Sequence, residues 1–243
     1  MNREASLCLA MTSLALLLAI LPDDDERLRF VAGICSNGVM DYYRQHAQML
    51  TEQYNSLSPG VVHAAWKHLL PREPGLAADI GAGSGRDANW LASLGWDVVA
   101  VEPEVAFRQR AMSESHPQVS WLDDKLPKLH RLRDSDTRFN LILVSAVWMH
   151  LSPRQREIAF RVLSNLLAPG GLLVISLRHE PDAGVREARS FYEVSSEELL
   201  TFAKQRALVL TVRQRSADAL GRDGVSWETL CFRLPDDGTG SLP

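Results

Sequence analysis

The sequence lacks a surplus of positive charge, a cysteine framework and an internal repeat. Its 26 Lys and Arg stand against 30 Asp and Glu, a formal net charge of −4. That removes the bulk basic bias typical of nucleic-acid-binding domains, while leaving room for local basic patches. Three cysteines, Cys8, Cys35 and Cys231, are scattered without a Cys-x-x-Cys pair. This argues against disulfide scaffolding and a zinc site and predicts a reducing, cytoplasmic setting. With 46% apolar and 23% charged residues, the 243-residue chain reads as globular, not collagen-like or grossly disordered. Its length suits one large domain, or one domain with an extension.

Long apolar runs are also scarce. The one candidate, Ala5–Leu21, follows Arg3-Glu4 and stops before Asp23-Asp24-Asp25-Glu26. It sits at the lower limit of the roughly 17–25 residues that cross a bilayer, and Glu4 cancels the positive start expected of a secretory leader. Three readings stay open for it: a buried or partner-packed helix, a membrane anchor, or an upstream extension, since Met40 could itself start a protein. We expect no membrane association. The domain plan is an extension over 1–39, covering helices over 40–75, a main domain over 76–235 and a flexible tail over 236–243.

What is present begins at Leu76, where short apolar runs alternate with longer amphipathic ones, as in parallel sheets with crossover helices. Strands are predicted at Leu76–Ile80, Asp97–Val101, Gln118–Leu122, Phe139–Val144, Leu172–Leu177, Leu208–Val212 and Thr229–Leu234. Helices fall between them, one opened by Ser152-Pro153 as cap and first helical position. Ala168-Pro169-Gly170-Gly171 reads as a turn. Two earlier helices, Tyr42–Tyr54 and Val61–Leu70, are separated by Ser58-Pro59-Gly60. The fold class is α/β, a doubly wound seven-stranded sheet.

The informative stretch is Ala78-Asp79-Ile80-Gly81-Ala82-Gly83-Ser84-Gly85-Arg86-Asp87. Glycines here allow a tight turn whose amides approach a ligand at a helix start, at the carboxyl edge where open α/β sheets bind ligands. A dinucleotide turn would want a small residue at 86, and Arg86 stands there. Asp79 would repel a pyrophosphate and attract a cationic amine. Glu102, ending the second strand, can accept from a ribose diol, and Asp123, after the third, from an exocyclic amine. Ribose, amine and a positive remainder describe S-adenosylmethionine; each acid taken singly could equally be a solvated strand end.

These segments, with FNLILVSAVWMHLSP and LLAPGGLLVISL, resemble the class I S-adenosylmethionine-dependent methyltransferases, in particular a small-molecule and tellurite-resistance-like branch with a Gly-Ser-Gly-Arg-Asp turn. The resemblance covers about Tyr42 to Leu234. It implies strand order 3-2-1-4-5-7-6 with strand 7 antiparallel. It also implies that Asp79 and the turn Gly81, Ala82, Gly83, Ser84 and Gly85 line the amino-acid part of the cofactor. Glu102 would hold the ribose with Pro103 beside the adenine, Asp123 and Asp124 the adenine edge, Ser145 and Ala146 the underside of the methionine moiety, and Tyr43 would fold over the cofactor. Glu102 departs from the more usual Asp, and the Lys204–Ala207 turn lacks the usual glycine.

Methyl transfer from a sulfonium mainly requires alignment and exclusion of water. His150, just beyond strand 4, is the candidate general base, with a packing histidine as the alternative. Ser145-Ala146-Val147-Trp148 stands where amino-methylating enzymes of DNA bases and glutamine carry Asn/Asp-Pro-Pro-aromatic. Acceptor contacts are expected from Trp148, Arg178, Arg186 and Tyr192, the last three within a cationic and aromatic segment after strand 5 that also holds Arg189 and Phe191. A second basic cluster spans Lys125 to Arg133. No metal is expected. The leading expectation is methyl transfer to an O, N or S atom of a small molecule. An RNA methyltransferase and a non-catalytic S-adenosylmethionine-binding partner protein are the alternatives.

Overall fold

The computed structural model describes residues 46–236. Tyr43, Ala5–Leu21, the whole 1–39 segment and the tail beyond residue 236 lie outside the described residues. Strands β1 (Leu76–Ile80), β2 (Asp97–Val101), β3 (Val119–Leu122), β4 (Phe139–Val144), β5 (Leu167–His179), β6 (Val209–Ala217) and β7 (Ser226–Arg233) form one sheet. Its order is β3-β2-β1-β4-β5-β7-β6. The pairs from β3 to β5 are parallel, and β7 runs antiparallel between β5 and β6. The expected order and the reversed seventh strand are therefore observed.

Period-two alternation divides the central strands between two faces. Ala78, Ile80, Ile142, Val144, Leu173 and Ile175 join one core cluster, shared with Phe160 and Leu163 of helix α6 (Pro153–Asn165) and Leu199 and Ala203 of α8 (Ser196–Gln205). Ala77, Val98, Ala100, Leu141, Leu143 and Val174 join the other, with Ala88 and Leu91 of α3 (Arg86–Ser93) and with Trp66 and Trp96. Covering both faces explains why β4 reads as a continuous apolar run. Each fully buried Leu or Ile contributes about 1.5–3 kcal/mol. Cys231 is buried in β7, where burial pushes its thiol up to about 12.

The remaining helical segments among the described residues are 46–55 (α1), α2 (Pro59–Val62), α4 (Val105–Ser113), α5 (His130–Asp134) and α7 (Ala183–Ala188). The helix expected over Val61–Leu70 is only α2 followed by a 3-10 turn at Lys67–Leu69. His63 and Trp66 are drawn into a buried contact there, and Leu70, preceding Pro71, is extended (ψ 133°). A second correction concerns Ala168–Gly171, which lies within β5. Phe139 pairs with Leu167 before the register shifts at Leu141, and a Cβ on Gly171 would meet Ala168 O at 2.7 Å. The stretch is a bulged strand start. β6 also runs to Ala217, because β7 supplies partners along its length. Among the described residues no helix is long and apolar enough to cross a membrane.

Candidate active site

The turn after β1 folds back over β2: Gly81 N and Ala82 N both donate to Val101 O, at 2.7 and 3.0 Å. Two glycines are required by geometry. Gly81 has φ +74°, and a Cβ there would lie 2.5 Å from Val147 Cγ2. Gly85, the N-cap of α3, has φ +78° and would place a Cβ 2.9 Å from Trp121 Cζ2. Gly83 N donates to Glu102 Oε2 at 2.8 Å, joining the turn to the acid that follows β2. Ser84 Oγ donates to Asn55 Oδ1 at 2.8 Å, so the turn also holds the end of α1.

Three carboxylates stand around this turn. Asp79 is 2% exposed and its Oδ2 has no hydrogen-bond partner. Burial and then the neighbouring Asp87 hold its carboxyl well above the ordinary carboxylate range, despite Arg86. Glu102 is also buried, and burial pushes it up to about 7 against the amide bonds from Glu104 and Gly83 that favour its ionised form. Asp123 is more open and pairs with Arg108 at 3.3 Å, while the same guanidinium donates to Glu102 O at 2.6 Å. Pro103 lies between Glu102 and the α4 cap Glu104. Asp124 accepts from Lys125 N and Leu132 N, shaping the loop after β3. Ser145 and Ala146 follow β4, where Ala146 has φ +58° and its N–H donates to Ser176 Oγ at 2.8 Å. A buried carboxylate oxygen without a donor is suited to a cationic group. That agrees with an aminoacyl sulfonium and disagrees with a phosphate.

A network beside the turn joins the Arg86-Asp87 end of the motif to His63, Trp66 and Tyr54, residues that the sequence did not link to it. Arg86 clasps Asp87 through two bonds, at 2.7 and 2.8 Å, and donates to Tyr54 O at 3.2 Å. His63 Nε2 lies 2.9 Å from Asp87, and its Nδ1 accepts from Trp66 Nε1 at 3.2 Å. Burial alone would raise Asp87; hydrogen bonds and charge from His63 and Arg86 carry it well below its ordinary value. The Arg86 that argued against a dinucleotide thus has a positive role, anchoring α1. A groove of about 450 Å³ beside Ser84, Arg86 and Asn89 is not lined by Asp79 or Glu102, so we do not assign it to the cofactor.

Beyond β4, the His150 ring meets Phe191 edge-on at 4.9 Å. Burial, then Arg189 and Arg178, push its pKa down to about 3, so the imidazole is neutral at physiological pH. Arg178, on β5, lies over the Phe191 and Trp227 rings at 5.2 and 6.0 Å. Arg189 covers the same Phe191 ring at 4.8 Å and donates to Tyr54 Oη at 3.3 Å. Only its position in three dimensions distinguishes Arg189 from its neighbouring arginines. Arg186 is instead spent on backbone, donating to Glu180 O and Pro181 O. Tyr192 is 40% exposed, held by its amide to Met149 O. Trp148 corrects an expectation: it is fully buried against Phe160 in the core and cannot wall an acceptor site. The basic residues Lys125, Lys128, His130, Arg131 and Arg133 are exposed.

Residues 77–171 match the family model for a methyltransferase domain. No curated protein matches the chain. Among solved structures, the chain is similar to 1,6-didemethyltoxoflavin-N1-methyltransferase of Burkholderia thailandensis, with 22% identity, coverage of 89% of this chain and 92% of that one, and TM-score 0.61. It is also similar to N-methyltransferase NodS of Bradyrhizobium japonicum bound to S-adenosylhomocysteine, with 17% identity, 76% and 87% coverage and TM-score 0.54. Phosphoethanolamine N-methyltransferase 2 of Haemonchus contortus gives 16% identity, 71% and 52% coverage and TM-score 0.54. At these identities the structures establish the fold. The segment that holds the glycine turn, both strand-end acids and His150 is therefore a methyltransferase domain.

Proposed function

We propose that the protein transfers a methyl group from S-adenosylmethionine to an oxygen, nitrogen or sulfur nucleophile of a small molecule. The observation that carries this is the buried Asp79 oxygen without a donor, beside a glycine turn already bonded to Glu102. In this reading Asp79 balances the ammonium of the cofactor, and the amides of Gly81–Gly85 lie along its amino-acid part. Glu102 accepts from the ribose diol with Pro103 at the adenine, while Asp123 and Asp124 border the adenine amine. Ser145 and Ala146 support the methionine moiety from below, and Tyr43 covers it. When bound, the sulfonium supplies an already activated methyl group, so the protein's task is alignment and dryness.

His150, neutral at working pH, accepts a hydrogen bond from the acceptor and orients its lone pair. With its pKa near 3, it takes a proton only from a group made strongly acidic as the new bond forms. A small-molecule acceptor is supported by the two neighbours bound to 1,6-didemethyltoxoflavin and to phosphomonomethylethanolamine. It is also supported by the mild net negative charge of the chain, −4. A reducing, cytoplasmic setting goes with the scattered cysteines.

Calorimetry with S-adenosylmethionine, S-adenosylhomocysteine and NADH tests the donor. Both sulfur nucleosides should bind and NADH should not. Absent binding of either by wild type, or undiminished binding by Asp79→Ala with Glu102→Ala, overturns the reading. Labelled methyl transfer into the small-molecule fraction of a cell extract, and not its RNA, is the expected acceptor result.

A further inference from the structure

Tyr54 and Asn55, the last two residues of α1, are bonded to two parts of the chain that follow different strands. Toward the glycine turn, Ser84 Oγ donates to Asn55 Oδ1 at 2.8 Å and Arg86 donates to Tyr54 O at 3.2 Å. In the other direction Arg189, at the end of α7, donates to Tyr54 Oη at 3.3 Å. These partners are 29, 32 and 135 residues apart in the chain, so no local preference brings them together. In the sheet, β4 lies between β1 and β5. A helix end held both by the turn after β1 and by the segment after β5 therefore crosses the carboxyl edge of β4. That edge is where open α/β sheets hold their ligands.

The Arg189 end of this bridge is built onto the candidate base. Its guanidinium covers the Phe191 ring at 4.8 Å, and the same ring meets His150 at 4.9 Å. Ser190, at φ +51°, turns the chain between Arg189 and Phe191, and Tyr192 N donates to Met149 O at 2.8 Å, one residue before His150. A continuous series of contacts thus runs from Ser84 and Arg86 through Asn55 and Tyr54 to Arg189, Phe191 and His150. The phenol oxygen is the single atom through which Tyr54 accepts from Arg189, and a bond from a charged donor is stronger than one between neutral groups. Arg189 keeps its other interactions without that oxygen, so what the hydroxyl supplies is the link to α1. Resting on the methyltransferase reading above, we infer that Tyr54 is a positioning residue, whose hydroxyl carries the order that a ligand imposes on the glycine turn across to residues 189–192 and so sets the Phe191 wall beside His150. Ordering one member of a bonded series lowers the entropic cost of ordering the next.

Amide hydrogen exchange of the full chain, free and saturated with S-adenosylhomocysteine, tests this in wild type and in Tyr54→Phe, which keeps the ring and removes the hydroxyl. In wild type the ligand should slow exchange about threefold or more both in residues 81–85 and in residues 189–192. In Tyr54→Phe it should still slow residues 81–85, while residues 189–192 exchange as they do without ligand. A merely structural role would change exchange equally in the free and loaded proteins and leave the ligand's effect intact. Protection of 189–192 absent from wild type, or retained in Tyr54→Phe, would overturn the inference. The wild-type comparison decides even if the variant does not fold. Failure of S-adenosylhomocysteine to bind wild type is a separate result that strikes the donor reading. The free proteins then decide: exchange in 189–192 should be about threefold faster in Tyr54→Phe than in wild type, and unchanged exchange there overturns the inference.

Discussion

The backbone amide of Gly83 donates to the carboxylate of Glu102 across 2.8 Å. One bond thereby couples the turn after β1 to the acid after β2, and Glu104 N holds the other carboxylate oxygen at the same distance, 2.8 Å. Each oxygen keeps a second lone pair for a ligand hydroxyl.

This coupling has a pH signature. Glu102 titrates near 7 in the folded protein against an ordinary 4.5, so between those values the folded state holds the extra proton. Stability from this group falls as pH rises from 4.5 through 7, and is flat above; the interval corresponds to about 3 kcal/mol. His150 has the opposite sign, since its folded value is about 3 and its ordinary one 6.5, so stability rises with pH across that window. Urea denaturation between pH 5 and 8 should show a downward slope with rising pH in wild type relative to Glu102→Gln. Equal slopes in the two proteins would contradict the assignment.

The buried Asp79 carboxyl costs the free protein stability when ionised. It is disfavoured in that form by burial and by Asp87. Asp79→Asn should therefore raise the melting temperature of the free protein at pH 8 while weakening S-adenosylhomocysteine binding tenfold or more. Calorimetry and thermal denaturation of the same sample provide both readings. Retained affinity would remove Asp79 from the cofactor site.

Gly81 and Val147 form a packed pair, because the absent Cβ of Gly81 would lie 2.5 Å from Val147 Cγ2. Gly81→Ala should cost roughly 2 kcal/mol or more, combining the clash with the positive φ. Adding Val147→Ala should recover the clash but not the backbone strain, giving a non-additive cycle. Denaturation midpoints of the four proteins measure it, and strict additivity would show that the two residues do not interact.

Arg86 ties Asp87 to the carbonyl of Tyr54. Arg86→Gln should destabilise by roughly 3 kcal/mol, because a buried carboxylate loses its cation, and should speed amide exchange in residues 46–55 before the rest of the chain. Because the folded pKa of Asp87 is depressed, its contribution is present above its ordinary value of 3.8 and is lost as pH falls below it. Acid denaturation of wild type and variant should converge there. Unchanged exchange in α1 would show that Arg86 does not hold it.

Local patterns made the sheet and the glycine turn legible. Alternation of apolar runs, Ser152-Pro153 at a helix start and glycines at 81, 83 and 85 act through neighbouring residues, so their consequences can be read along the chain. The acids at 79, 102 and 123 could likewise be placed at strand ends by counting. At Ala168–Gly171 Pro and Gly signal a turn locally, whereas pairing of Phe139 with Leu167 makes the stretch a bulged strand.

The sequence by itself determined the order of strands and helices, the turn that suits a cationic nucleoside, and the excess of carboxylates around it, since each rests on period, φ requirement or charge. Tertiary structure alone decided what those groups are worth. Burial placed Trp148 in the core, kept His150 neutral and raised Glu102. Contacts between distant segments brought Arg178 and Arg189 onto one ring, and His63 onto Asp87. Desolvation and long-range Coulomb interaction depend on what surrounds a residue in space, and no window of sequence contains that neighbourhood.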